Sequence, residues 1–287
     1  MQHFEDKWTA TDGTLLYAQR WMPELPLKGA VGLVHGMGEH SGRYHHLAEF
    51  FTEAGYAVVT FDHRGHGRSE GKKGHTPSYG QLMDDIALLL RQTRMYCGEH
   101  PVFLYGHSMG GNLAVNFGLR KKPVLQGIIA SSPWLRLAFE PPAWQLWLAR
   151  LMMYLKPDYT RETDLEVQKL SHNKNVQRAF EEDEHTHNFI TASMFFKTQQ
   201  AGAYAMEHTS ELLLPMLVFH GTEDRITSFE ASEEFARKAG KKVTFKPWQG
   251  CYHEVHNEEE HMKLFQHVLN WMDTRVSEMA DRGLPGV

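Results

Sequence analysis

Val102-Phe103-Leu104-Tyr105-Gly106-His107-Ser108-Met109-Gly110-Gly111-Asn112-Leu113-Ala114 is the stretch that decides how this chain is read. Residues 102–105 form an apolar run with the composition of a buried strand. The next five residues match G-x-S-x-G, and helix-forming residues follow over 112–119. A serine in a sharp turn between strand and helix is the context that presents its hydroxyl at the top of a sheet, as a nucleophile elbow. Gly106 and Gly110 carry no Cβ, so neighbouring backbone can pack against the turn. Ser108 is therefore the candidate nucleophile; a glycine-rich turn capping a helix is the plainer alternative.

Outward from the elbow, short apolar strands alternate with helices. Residues 4–21 alternate around Asp12-Gly13 as a hairpin. Strands are predicted over 30–34, 57–61, 126–130, 216–219 and 243–246, with helices over 44–54, 78–96, 228–239 and 258–276. This rhythm implies an α/β fold: a mostly parallel central sheet flanked by helices. The stretch 134–213 breaks it with helical patterning, no clear strand, Pro141-Pro142 and many large apolar side chains. Roughly eighty residues between two strands far exceeds the usual connection of ~4–6. We read 134–213 as an inserted helical cap over the carboxyl ends of the strands, with 1–133 and 214–287 as the core. Surplus helices packed on the sheet are the alternative. The tail from Gly283 to Val287 is expected to be loose.

The chain has 287 residues, enough for one large domain carrying an insertion, and its 41% hydrophobic content supports a sizeable core. A net charge of −5 without a long basic stretch argues against nucleic-acid binding. Two cysteines, Cys97 and Cys251, imply no disulfide framework. The first residues lack a basic and then apolar leader, and no window reaches the ~18 apolar residues of a membrane span. A cytoplasmic setting is expected. His253-Glu254-Val255-His256 is one residue short of H-E-x-x-H, His63 and His66 lack a third ligand, and no G-x-G-x-x-G follows a strand. Neither a metal nor another cofactor is expected.

A serine hydroxyl needs a positioned base. On an elbow of this kind the partners follow in the order serine, acid, histidine. Asp224 lies just past the strand 216–219, and His253 lies between the last strand and the final helix. His253 would take the Ser108 proton, and Asp224 would hold the imidazole tautomer. Glu223 would point elsewhere from the same turn. His256 is expected at the surface or as a cap of the final helix, and His107 beneath the elbow. An oxyanion hole needs two backbone N–H donors. One is Met109, after the nucleophile; the other is Met37, in the glycine-flanked turn His35-Gly36-Met37-Gly38-Glu39.

Four segments now carry a resemblance. They are His35-Gly36-Met37-Gly38-Glu39-His40-Ser41-Gly42-Arg43-Tyr44, Phe61-Asp62-His63-Arg64-Gly65-His66-Gly67-Arg68-Ser69-Glu70-Gly71, the elbow, and Gly221-Thr222-Glu223-Asp224-Arg225. Over residues 4–276 the chain resembles the α/β-hydrolase superfamily, and within it the monoacylglycerol lipase and lysophospholipase branch. The resemblance implies the Ser108, Asp224 and His253 triad and the Met37 and Met109 oxyanion hole. It also implies that Glu39 and Arg43 help bind a glycerol-like head. Members of the branch often carry a smaller residue at the Met37 position, so a narrower pocket is expected here. Some carry a cysteine just after the acid turn, where this chain has Thr227 and Ser228.

Trp144, Leu146, Trp147, Leu148, Leu151, Met152, Met153 and Leu155 are too many large apolar groups for one helix face. They are expected to line an acyl tunnel or to meet a membrane surface transiently, with Arg150 and Lys156 near headgroups; sealing the cap onto the core is the alternative. The expected function is hydrolysis of monoacylglycerol or similar lipid esters through an acyl-enzyme. Lysophospholipase, general carboxylesterase, aminopeptidase and acyltransferase activity are alternatives on the same machinery, and a non-catalytic binder is a third class. A haloalkane dehalogenase would need an aspartate at position 108.

Overall fold

The computed structural model describes residues 1–163 and 166–281, with side chains to 279; the expectation for the tail from Gly283 to Val287 lies outside them. The elements run β1 (Gln2–Thr9), β2 (Leu15–Met22), β3 (Gly29–Val34), α1 (His45–Glu53), β4 (Tyr56–Phe61), α2 (Tyr79–Cys97), β5 (Val102–His107), α3 (Met109–Lys121) and β6 (Gly127–Ser131). They continue with α4 (Ala143–Leu155), β7 (Thr160–Glu162), α5 (Lys174–Glu182), β8 (Phe189–Thr191), α6 (Ala192–Glu207), β9 (Met216–Gly221), α7 (Phe229–Ala239), β10 (Val243–Trp248) and α8 (His261–Asp281).

Eight strands form one sheet in the order β1-β2-β4-β3-β5-β6-β9-β10. The hairpin β1–β2 and the β2–β4 pair are antiparallel, and every other pair is parallel. β3, β4, β5, β6 and β9 are buried along their whole length, as strands covered on both faces must be. The two-residue period of a strand sends alternate side chains to opposite faces. Val102 and Leu104 of β5 join a core with Leu82 and Ile86 of α2, Leu113 of α3 and Phe235 of α7. Phe103 and Tyr105 join another, with Leu47 of α1 and Phe265, Val268 and Met272 of α8. Helix starts follow local chemistry: the Ser78 and Ser228 hydroxyls accept from Gln81 and Ala231 N–H at 3.1 Å.

Two expectations need correction. The stretch between β6 and β9 is not wholly helical: β7 and β8 pair antiparallel, Thr160 opposite Thr191 and Glu162 opposite Phe189. Three residues are too few for alternation to show, and the pairing joins segments nearly thirty positions apart. The final helix also begins at His261, not at 258. Residues Val255–Asn257 wind a 3-10 turn instead. Beside it the Glu258 carboxylate accepts from Tyr252 N–H at 2.9 Å and His172 N–H at 3.2 Å, which ties the chain down before the helix.

Candidate active site

β5 delivers Ser108 and α3 leaves immediately behind it. The connection is sharp enough to hold Ser108 at φ 54, ψ −113, a region costly for any residue with a Cβ. Surrounding backbone enforces that strain. Ser108 N–H donates to Ser131 O, and Ser108 O accepts from Trp134 N–H, both at 2.9 Å. A Cβ at Gly106 would lie 2.1 Å from Gly110 O, and one at Gly110 would lie 2.1 Å from Val34 O. Only glycine fits at either position. Because α3 starts at Met109, that N–H belongs to the helix's first turn, whose donors have no intrahelical acceptor and carry the positive end of the dipole.

Asp224 sits in the turn after β9. Its Oδ1 accepts from Ile226 and Thr227 N–H at 2.7 and 3.1 Å. Its Oδ2 accepts from His253 Nδ1 at 2.7 Å, and from His220 Nε2 and Thr227 Oγ1 at 2.9 Å each. Burial alone would raise this carboxyl, but the His253 charge and the hydrogen bonds from both histidines overcome it and hold Asp224 well below the usual carboxylate range. His253 shows the reciprocal effect. Burial disfavours its cation, yet the Asp224 charge and hydrogen bond leave it raised above the ordinary imidazole value. Ser132 Oγ donates to His253 O at 2.8 Å and fixes the loop. Glu223 is exposed, while Asp224 is buried.

Ser108 and His253 line one cavity of about 430 Å³ together with Gly36, Met37, Glu39 and Glu254. Among the described residues no hydrogen bond joins the Ser108 hydroxyl to His253; catalytic hydrogen bonds often tighten only in the complex with substrate. The lining is largely apolar, with Leu137, Leu146, Met152, Phe180, Ile190 and Phe195, and Arg161, Glu166, Lys169 and Arg225 also border it.

The turn after β3 is braced by buried histidines. His63 N–H donates to His35 Nε2 at 2.9 Å, so His35 Nδ1–H donates to Gly36 O at 2.8 Å. Burial pushes His35 down to about 3, which keeps it neutral. Gly38 O accepts from His187 N–H at 2.8 Å, tying this turn to the segment between β6 and β9.

Glu39 and Arg43 belong to a buried ion network that the sequence does not reveal. Glu39 Oε1 accepts from Gly36 N–H at 2.5 Å and Tyr44 O–H at 2.7 Å, and Oε2 accepts from Arg43 at 2.8 Å. Arg43 also grips Glu254 with two bonds of 2.6 and 2.7 Å, and Asn257 Nδ2 donates to Glu254 Oε2. Glu39 and Glu254 stand in the cavity wall, and Arg43 joins them over the Phe180 ring. The expectation for His256 is corrected. It is fully buried, stacked 5.0 Å from Tyr44 and edge-on to His107 at 4.6 Å, because the 3-10 turn points it inward. His107 lies beneath the elbow, its Nδ1 3.1 Å from Ser131 Oγ.

Sequence reasoning missed His220, Thr227 and Glu254 as partners of this site. For His220 a signal existed, since it lies four residues before Asp224 at the end of an apolar strand.

Residues 26–260 match the family model described as "Serine aminopeptidase, S33" (Hydrolase_4). An uncharacterized abhydrolase domain-containing protein of Dictyostelium discoideum is 33% identical over 93% of this chain, which spans 28% of that relative's length. Monoacylglycerol lipase of Mycolicibacterium smegmatis is 30% identical over 93% of this chain and 96% of its own. The solved structure of Paleococcus ferrophilus monoacylglycerol lipase superposes with a TM-score of 0.82 at 30% identity, covering 91% of this chain and 98% of that one.

Proposed function

This chain belongs to the Hydrolase_4 family of α/β-hydrolases, in its monoacylglycerol lipase branch, and from that premise we propose that it cleaves monoacylglycerols and similar neutral lipid esters through an acyl-enzyme on Ser108. It is a serine ester hydrolase; the substrate class, the residue roles and the steps below are our reading. His253 takes the Ser108 proton as Oγ attacks the acyl carbonyl carbon. The carbonyl oxygen becomes an oxyanion held by the Met37 and Met109 N–H groups. Collapse breaks the ester C–O bond, and His253 returns the proton to the departing alcohol. Water, activated by the same imidazole, then attacks the acyl-enzyme and releases the acid. Asp224 keeps Nδ1 protonated and stabilises the imidazolium throughout.

The observation that carries this reading is the cavity's composition: the Ser108 and His253 groups stand in its wall with a largely apolar lining supplied mostly by residues 134–213, among which Arg161, Glu166 and Lys169 are the charged members. Each methylene buried there is worth about 0.8 kcal/mol. Residues 134–213 thus act as a cap that selects the acyl chain. Glu39 takes the position facing the alcohol, with Arg43 holding it. Both Glu39 oxygens and both Glu254 oxygens already accept hydrogen bonds, which disfavours a pocket for a free amino group.

The outer face of α4 bears Trp144, Trp147, Tyr154 and Leu155, each at least 65% exposed, and none of its residues is buried. No helix among the described residues is long and apolar enough to cross a membrane. We read this face as the part that rests on a lipid surface. A hydrolysis panel tests the whole reading: monoacylglycerols of graded length, lysophospholipids and an aminoacyl amide, each dispersed and in vesicles. Monoacylglycerols should lead by at least about tenfold in kcat/KM, roughly the discrimination available to one well-formed pocket. Replacing Trp144 and Trp147 with serine should raise the apparent KM for vesicle-borne substrate alone. Preference for the aminoacyl amide would overturn the substrate assignment.

A further inference from the structure

One carboxylate oxygen in the candidate site serves three side chains. Asp224 Oδ2 accepts from His253 Nδ1 at 2.7 Å, His220 Nε2 at 2.9 Å and Thr227 Oγ1 at 2.9 Å. The mechanism above uses only the first. His220 is wholly buried on β9, and its other ring nitrogen faces the Ser232 hydroxyl of α7 at 2.8 Å. Phe229 meets the ring edge-on at 6.0 Å. The imidazole is thus clamped between strand, helix and acid, with a nitrogen aimed at the oxygen that His253 uses.

We infer that His220 is a positioning residue for proton transfer: it orients Asp224 and divides the negative charge of Oδ2 between two imidazoles, which limits how basic Asp224 makes His253. The inference rests on the triad reading. Two charge-assisted hydrogen bonds to one oxygen compete, because each donor draws on the same lone-pair density. Removing His220 concentrates that density on His253. Other groups also bear on His253: Glu254 on its own loop, Glu39 from the turn after β3, and His107 of β5 at 4.8 Å. Glu230 of α7 and His107 interact with His220. Of these, none shares Oδ2, so a substitution at His220 leaves their contributions to His253 in place.

The test is the pH dependence of kcat/KM on a soluble ester for the wild type, His220→Ala and His220→Gln, with thermal denaturation of each. A more basic His253 loses its base form at a higher pH. The acid limb of His220→Ala should therefore move up by about half a pH unit or more. His220→Gln, whose amide N–H reaches the Nε2 position, should keep the wild-type limb. If the alanine variant does not fold, His220→Leu fills the space without a donor and carries the same expectation. An acid limb that stays put or moves down in the donor-less variant overturns the inference, as does an equal upward shift in His220→Gln. Asp224→Asn in the same assay separates the two levels. Full activity there would defeat the triad reading itself. A loss of several orders of magnitude alongside unmoved His220 limbs would defeat only the role given to His220.

Discussion

Ser108→Ala should lower kcat/KM for a soluble ester by roughly four to six orders of magnitude, the range seen when a triad nucleophile is removed. That corresponds to about 5–8 kcal/mol of lost transition-state stabilisation. The fold should hardly notice. Alanine keeps the Cβ whose strain at φ 54 the wild type already bears. The backbone bonds to Ser131 and Trp134 that enforce the turn do not involve the hydroxyl. A wild-type melting temperature with lost turnover separates chemistry from stability. Retained turnover would remove Ser108 from the mechanism.

Arg43→Met carries the largest expected effect on stability. It strands the Glu39 and Glu254 carboxylates, both nearly fully buried, and among the described residues Arg43 is the side chain that forms a salt bridge with each of them. Breaking one side of a buried ion network typically costs about 3–5 kcal/mol, which lowers Tm by roughly 10 °C in a chain of this size. The pH dependence has a definite sign. In the wild type, burial opposes ionisation of Glu254, but the Arg43 charge and hydrogen bonds win and lower it from 4.5 to about 2. Its contribution is present above about 4.5 and is lost as pH falls from there toward 2. Burial already raises Glu39 in the wild type; without Arg43 it raises Glu254 as well, and the variant is relieved as the two protonate. The Tm gap between wild type and variant should therefore narrow from pH 7 to pH 4. A gap that stays constant or widens would contradict the network's role, and differential scanning calorimetry across that range decides it.

What was readable in the sequence was what neighbouring residues determine. Short apolar runs ending in His-Gly or Gly-x-Ser mark where strands stop, and the residues at those stops are the ones the sheet carries to one edge. Asp224 and His253, 29 positions apart, meet at 2.7 Å because β9 and β10 run parallel side by side. The ion network could not be read the same way, because Arg43 and Glu254 stand 211 positions apart and nothing local marks Glu254 as a partner. His256 misled for a related reason. Its spacing from the final helix suggested a surface position, and a 3-10 turn that no periodicity announces carries it into the interior. The β7–β8 pair was invisible because three residues cannot display a two-residue period.

The proposed hydrolysis stands or falls on a covalent acyl intermediate at Ser108. Rapid quenching of the wild type during turnover of an activated medium-chain ester, followed by intact and peptide mass spectrometry, looks for it. A transient mass increase equal to the acyl group, mapped to the peptide containing Ser108 and absent from Ser108→Ala, is expected. An adduct on another residue, or turnover of the wild type with a Ser108 peptide that is never acylated when deacylation is slowed, would contradict it.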